Sequence, residues 1–161
     1  MRDVDFILNG HSVRVSGKGD RPLLSVLRNE LDLKGSRFGC GLEQCGACMV
    51  LVDDDPVPAC TRAVSTVAGR HVTTVEGLAQ GGTPHPLQVT FVEGQAGQCG
   101  YCLSGILISA LSLLKRRLAP SRSEIVEALD RHLCRCGAHN RIVAAVELAA
   151  LRMKTDAGPL P

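Results

Sequence analysis

Eight cysteines fall into two sets of four along this chain. Cys40, Cys45 and Cys48 read C-x4-C-x2-C within nine residues, and Cys60 follows after eleven more. Cys99 and Cys102 form C-x2-C, and thirty-one residues later Cys134 and Cys136 form C-x-C. Thiolates at such spacings hold metal. The first set has the spacing of a plant-type [2Fe–2S] ligand loop with a distant fourth cysteine. Structural zinc prefers paired C-x2–4-C hooks over three ligands in one short loop. Gly39, Gly41 and Gly46 lie among the first three cysteines. They permit unusual φ values, so the thiolates turn inward together and freed amide N–H groups reach sulfur. The second set, by spacing alone, fits a cluster and zinc equally.

The elements that must carry these residues follow from periodicity. Val4 to Val15 reads strand, turn, strand: Phe6 and Leu8 alternate with Asp5 and Ile7, and Asn9-Gly10 is a two-residue hairpin signal. Pro22 opens a helix through Glu30, with Leu23, Leu24, Leu27 and Leu31 at helical spacing. The cysteine loop runs from Gly35 to Cys48, then Met49 to Val52 is an apolar strand ended by a solvated turn, Asp53-Asp54-Asp55-Pro56. His71 to Val75 is a further strand. Together these predict a small α+β unit of ubiquitin-like or ferredoxin-like size, residues 1–77.

Gly77 to Pro86 is a linker, and residues 78–161 then turn helical. One helix holds Leu87, Phe91 and Val92. A second, Gly105 to Leu118, is apolar nearly all round and so buried. Ser121-Arg122-Ser123-Glu124 is a capping box opening a third, and Asn140 to Met153 makes a fourth before a frayed tail, Thr155 to Pro161. Both second-set pairs stand just ahead of helices, whose N-termini favour thiolate. Lys115-Arg116-Arg117 is a basic helix end complementing the dipole.

Composition narrows the class. Eighteen basic against sixteen acidic side chains leave a net charge of +2, and aromatics are 2%. Neither a nucleic-acid electrostatic footprint nor a base-stacking surface fits, so no nucleic-acid partner is expected. The longest apolar run, Leu103 to Leu114, includes three serines and is too short to cross a bilayer, which predicts no membrane insertion. Met1 to Asp5 lacks the apolar core of a secretory signal, so the reading is cytoplasmic and the cysteines are ligands or free thiols rather than disulfides. No nucleophile–base pair and no phosphate loop is visible, so no catalytic residue is expected in this chain.

The two constellations together resemble the small iron–sulfur subunit of the molybdenum hydroxylases, the xanthine dehydrogenase family. The carrying residues are Gly39-Cys40-Gly41-Leu42-Glu43-Gln44-Cys45-Gly46-Ala47-Cys48, Gln98-Cys99-Gly100-Tyr101-Cys102 and Leu133-Cys134-Arg135-Cys136, within a likeness covering about residues 3 to 150. The resemblance implies a plant-ferredoxin-like β-grasp unit followed by a four-helix bundle, each with a [2Fe–2S] cluster. It implies a molybdenum–pterin cofactor in a separate large subunit. The cluster on Cys99, Cys102, Cys134 and Cys136 would be proximal to it, and that on Cys40, Cys45, Cys48 and Cys60 distal. It also implies that Gln98 and the sulfur of Cys136 contact the pterin across the interface. The partner would hydroxylate an N-heteroaromatic substrate or an aldehyde, its electrons leaving through both clusters.

Three departures bear on subgroup. Many flavin-linked members read C-T-P-G and C-R-C-T-G-Y where this chain has Cys102-Leu103-Ser104-Gly105 and Cys134-Arg135-Cys136-Gly137-Ala138-His139. These stretches look more like the subunits of nicotinate and isoquinoline oxidoreductases, so a cytochrome-type acceptor is expected rather than an FAD subunit. Glu43 stands where the family loop usually has Gly; if that position needs φ > 0, Glu strains it by roughly 1 kcal/mol. His11, His71, His85 and His132 have no metal spacing and read as surface; His139 reads as solvent or interface packing. Arg135 either stabilises cluster charge or caps a helix. The rival class is a stand-alone module, zinc-stapled or redox-sensing.

Overall fold

The structure, a computed structural model, describes residues 3–156. In β1 (Val4–Leu8) the alternate residues Val4, Phe6 and Leu8 are buried. Asn9 and Gly10 both take positive φ, 49° and 85°, which matches the strand twist and returns the chain as β2 (His11–Val15) with Leu8 opposite His11. Pro22 precedes α1 (Leu23–Asn29), which buries Leu23, Leu24, Val26 and Leu27. β3 (Met49–Val52), β4 (Asp55–Pro58) and β5 (His71–Thr73) complete a five-stranded sheet in the order β2-β1-β5-β3-β4. β1 and β5 run parallel, and the other neighbouring pairs among the described residues are antiparallel. A mixed sheet with one helix across its face is the β-grasp arrangement.

β3 explains how the second half of the chain attaches. Successive strand residues face opposite sides, and all four here are buried. Val50 and Val52 enter the core under α1, whereas Met49 and Leu51 enter the core of the helices. Those helices are α2 (Pro86–Glu93), α3 (Leu103–Arg116), α4 (Arg122–Leu129) and α5 (His139–Asp156). The apolar α3 is the central one, with Ile106, Ile108, Ala110 and Leu114 fully enclosed. The expected α+β unit followed by a helical bundle is what forms.

Several boundaries and assignments differ from the sequence reading. The acidic stretch is a turn only at Asp53 and Asp54, and Asp55 and Pro56 start β4. Nor is it merely solvated: Lys115 and Arg116 at the end of α3 pair with Asp54 and Asp55, and Ser112 donates to the Asp54 carbonyl at 2.8 Å. β5 stops at Thr73, and Val75–Gly77 is a 3-10 turn. α3 occupies 103–116 rather than 105–118. Thr155 and Asp156 close α5 rather than fraying; residues 157–161 of that expected tail lie outside the described residues. Among the described residues no helix is long and apolar enough to cross a membrane.

Two histidines read as surface are not. His132 is 2% exposed. His85 is half-buried because its Nδ1 accepts the Leu87 amide, while Gln88 reaches back to the His85 N–H, a capping box that starts α2. His11 and His71 are exposed as expected.

Candidate metal centres

The loop before β3 coils tightly because three of its residues occupy the left-handed region: Gly41, Glu43 and Gly46, at φ 68°, 60° and 74°. The coil turns amides toward sulfur. Leu42 and Gln44 donate to Cys40 Sγ at 3.3 and 3.2 Å, and Cys40 donates to Cys45 Sγ at 3.4 Å. The Leu42 and Gln44 amides, in that order, pull the Cys40 thiol down to about 7. On the inner side Cys48 and Cys60 are buried against the α1 core. Burial, chiefly, pushes Cys48 up to about 11, against the backbone hydrogen bond at Cys60. Cys40 is therefore the sulfur most readily available as thiolate, and a bound cation would have to displace the proton of buried Cys48.

The second set repeats this asymmetry. Cys99 is exposed, receives the Tyr101 amide at 3.5 Å and lies 3.5 Å from Cys136 Sγ. These two contacts, in that order, lower its pKa. Cys102, buried at the start of α3, meets Cys134 and is pushed up to about 12, chiefly by burial. Cys134 is lowered: burial opposes ionisation, but the Ala138 amide, the Cys102 thiol and the amides of Cys136 and Gly137 outweigh it. Among the described residues no three His, Cys, Asp or Glu side chains converge on one ion position. Instead the thiols meet in pairs: Cys40 with Cys45, Cys48 with Cys60, Cys99 with Cys136, Cys102 with Cys134. Two pairs per set suit a two-iron cluster, which takes four thiolates over two metals. Gln98 is exposed and donates to the Cys136 carbonyl at 3.3 Å, so the two residues expected at a pterin stand together.

The two sets are neighbours across a cleft of about 300 Å³ lined by Cys40, Cys45, Cys99, Cys102 and Cys134. Arg135 lines the same cleft and is exposed. The Leu133 amide, one residue before Cys134, donates to the Cys45 carbonyl at 3.1 Å. Arg131 donates to the Glu43 carbonyl at 3.3 Å, and the Glu43 carboxylate accepts the Thr61 hydroxyl beside Cys60. Tyr101 donates its hydroxyl to the Phe38 carbonyl while the Arg37 guanidinium sits 5.2 Å over the Tyr101 ring. Gly105 lets α3 close onto the Gly46 carbonyl, where a Cβ would overlap backbone. The cysteine pattern gave no sign of these links. Only Gly105, a lone glycine inside an apolar helix, marks a close approach in the sequence.

Comparisons agree with this chemistry. A family model described as a 2Fe-2S iron-sulfur cluster binding domain matches residues 6–79, and one described as a [2Fe-2S] binding domain matches 74–147. One of the nicotinate dehydrogenase subunits of Pseudomonas putida is 46% identical over 147 residues, 91% of this chain and 94% of that one. The alpha subunit of isoquinoline 1-oxidoreductase from Brevundimonas diminuta is 47% identical over 148 residues, 91% and 97% of the two chains. A chain of quinoline 2-oxidoreductase from Pseudomonas putida superposes with a TM-score of 0.91 at 32% identity, covering 99% of this chain and 98% of that one. Two four-cysteine sets on a β-grasp unit and a helical bundle, with relatives matched nearly end to end, place the chain in the molybdenum hydroxylase (xanthine dehydrogenase) family as an iron–sulfur subunit with two [2Fe–2S]-binding domains.

Proposed function

We propose that this chain takes electrons from the molybdopterin site of a large partner protein and carries them to an external acceptor while the partner hydroxylates an N-heteroaromatic substrate. Nicotinate and isoquinoline, in the names of the two relatives above, support that substrate class. Bound [2Fe–2S] clusters supply one-electron transfer. Cys40, Cys45, Cys48 and Cys60 would hold the distal one in a unit of residues 1–77, and Cys99, Cys102, Cys134 and Cys136 the proximal one in 78–161.

The observation that carries the reading is the hydrogen bond from the Leu133 N–H to the Cys45 carbonyl. It joins a backbone route from Cys134, in one set, to Cys45, in the other, across a single non-covalent step. The protein's own residues do the rest. Buried Cys48 and Cys102 keep water from the inner edges. Amides from Leu42, Gln44 and Tyr101 stabilise negative charge on the outer sulfurs. Phe38, Tyr101 and Leu133 are exposed apolar groups beside the two sets, a face suited to a large subunit. Gln98 and Cys136 share the exposed side of the second set and would meet the pterin there. A cytochrome-type acceptor is the reading for the far end, by kinship in the Leu103-Ser104-Gly105 and Gly137-Ala138-His139 stretches; the alternative is an FAD subunit.

The order is tested in the intact complex. Cys102→Ser abolishes substrate-driven reduction of the remaining cluster, because the path breaks at its start, whereas Cys45→Ser leaves the proximal cluster reducible. The opposite pattern reverses the assignment. A flavin assay settles the acceptor: stoichiometric FAD refutes the cytochrome reading.

A further inference from the structure

His132 is enclosed, and it touches three elements at once. Its Nε2 lies 2.7 Å from Ser109 Oγ, about two turns into α3. Its other ring edge faces Gly46, between Cys45 and Cys48; a Cβ on Gly46 would collide with His132 Nδ1. The residue itself stands two positions before Cys134 and directly before Leu133, whose amide holds the Cys45 carbonyl. The imidazole thus fills the junction of α3, the first cysteine loop and the segment entering the second set.

Space filling alone does not account for a histidine here. Nδ1 is buried without a hydrogen-bond partner, a state that native structures rarely keep without cause. An aliphatic side chain would fill the volume with no orphaned atom. What the ring adds is a planar, stiff body whose tilt is set by the Ser109 bond. With the ring held by the hydrogen bond between Nε2 and Ser109 Oγ, its Nδ1 edge faces Gly46, an approach that only glycine at this position allows.

We propose that His132 is a positioning residue that sets the separation and mutual orientation of the two cluster sites, acting through Ser109 on one side and Gly46 on the other. The inference rests on the ligand assignment made above, since it concerns the distance between those sites. It adds that the spacing is held by a specific side chain rather than by general packing.

The test uses the complex with its large subunit, both clusters reduced by dithionite, and reads the magnetic splitting between the two centres together with iron content and each midpoint potential. His132→Leu keeps the iron of the wild type but loses the resolved splitting. His132→Gln, whose amide nitrogen can reach Ser109, restores it. Ser109→Ala, which leaves the ring in place without its anchor, shifts the splitting. If His132→Leu fails to assemble, the Ser109→Ala result decides. Wild-type splitting in a fully loaded His132→Leu complex, or in Ser109→Ala where the leucine variant does not assemble, overturns the positioning role. Wild-type protein lacking iron in both sites would instead sink the ligand assignment and is recognised before any variant is made.

Discussion

Gly105→Ala tests whether α3 and the first cysteine loop are held in direct backbone contact. In an ordinary helix the change is favourable by about 1 kcal/mol, because alanine loses less backbone freedom on folding. Here the added Cβ would overlap the Gly46 carbonyl oxygen, with that carbonyl carbon at 3.0 Å and the Ala47 carbonyl carbon at 3.4 Å. All three atoms are backbone and cannot rotate aside. Overpacking of this kind costs about 1–3 kcal/mol, and its upper end applies, leaving a net loss of about 2 kcal/mol after the helix gain. For a chain of this size that lowers Tm by about 4–8 °C. Gly100→Ala is the control. Gly100 has φ +75° and nothing within 4 Å of its Cβ, so its cost is strain alone, about 1 kcal/mol. The assay is thermal unfolding of the intact complex, followed by far-UV circular dichroism and by loss of visible cluster absorbance. Gly105→Ala should melt lower than Gly100→Ala, with absorbance and ellipticity lost together. A Gly105→Ala variant as stable as the wild type would refute the contact.

Three further outcomes follow from the same geometry. Burial, and then the Lys115 charge, lower the His85 pKa below its usual 6.5; the unfolded chain is therefore protonated first, so His85 contributes stability that is present above pH 6.5 and lost as pH falls through the folded value. His85→Asn keeps an N-cap but does not titrate, and its urea midpoint should fall less between pH 8 and pH 5 than that of the wild type; equal falls contradict the lowered His85 pKa. Glu43→Gly relieves about 1 kcal/mol of left-handed strain and loses a Thr61 hydrogen bond of similar size, so urea unfolding should place it near the wild type, while Glu43→Val is clearly less stable; the reverse ranking would be inconsistent with the observed φ. Gln98→Ala leaves iron content unchanged but slows substrate-driven reduction, measured by stopped-flow absorbance; an unchanged rate excludes Gln98 from the interface with the pterin.

The sequence was most legible where chemistry constrains it. Cysteine spacing separated two sets, and helical periodicity located α3 and α5 to within about three residues, because both bury long apolar stripes. β4 was missed. Its sequence, Asp55-Pro56-Val57-Pro58, reads as a turn because proline cannot donate to a ladder, yet the strand is tolerated because it is the sheet edge and pairs on one side only. His132 was misread for a different reason. Its burial depends on Gly46 and Ser109, eighty-six and twenty-three residues away in sequence, and no local pattern records such a contact. The ion pairs of Lys115 and Arg116 with Asp54 and Asp55 were hidden in the same way: each charge run reads alone as a helix end or a solvated turn, and only the packing of α3 on the sheet joins them.

The central claim, two complete four-thiolate sites in one chain, is tested most directly by metal and acid-labile sulfide analysis of the purified complex, normalised to this chain. Two [2Fe–2S] clusters predict about four iron and four sulfide per chain, no zinc on these cysteines, and two distinct signals on stepwise reduction. About two iron with one signal, or zinc in either set, would contradict it.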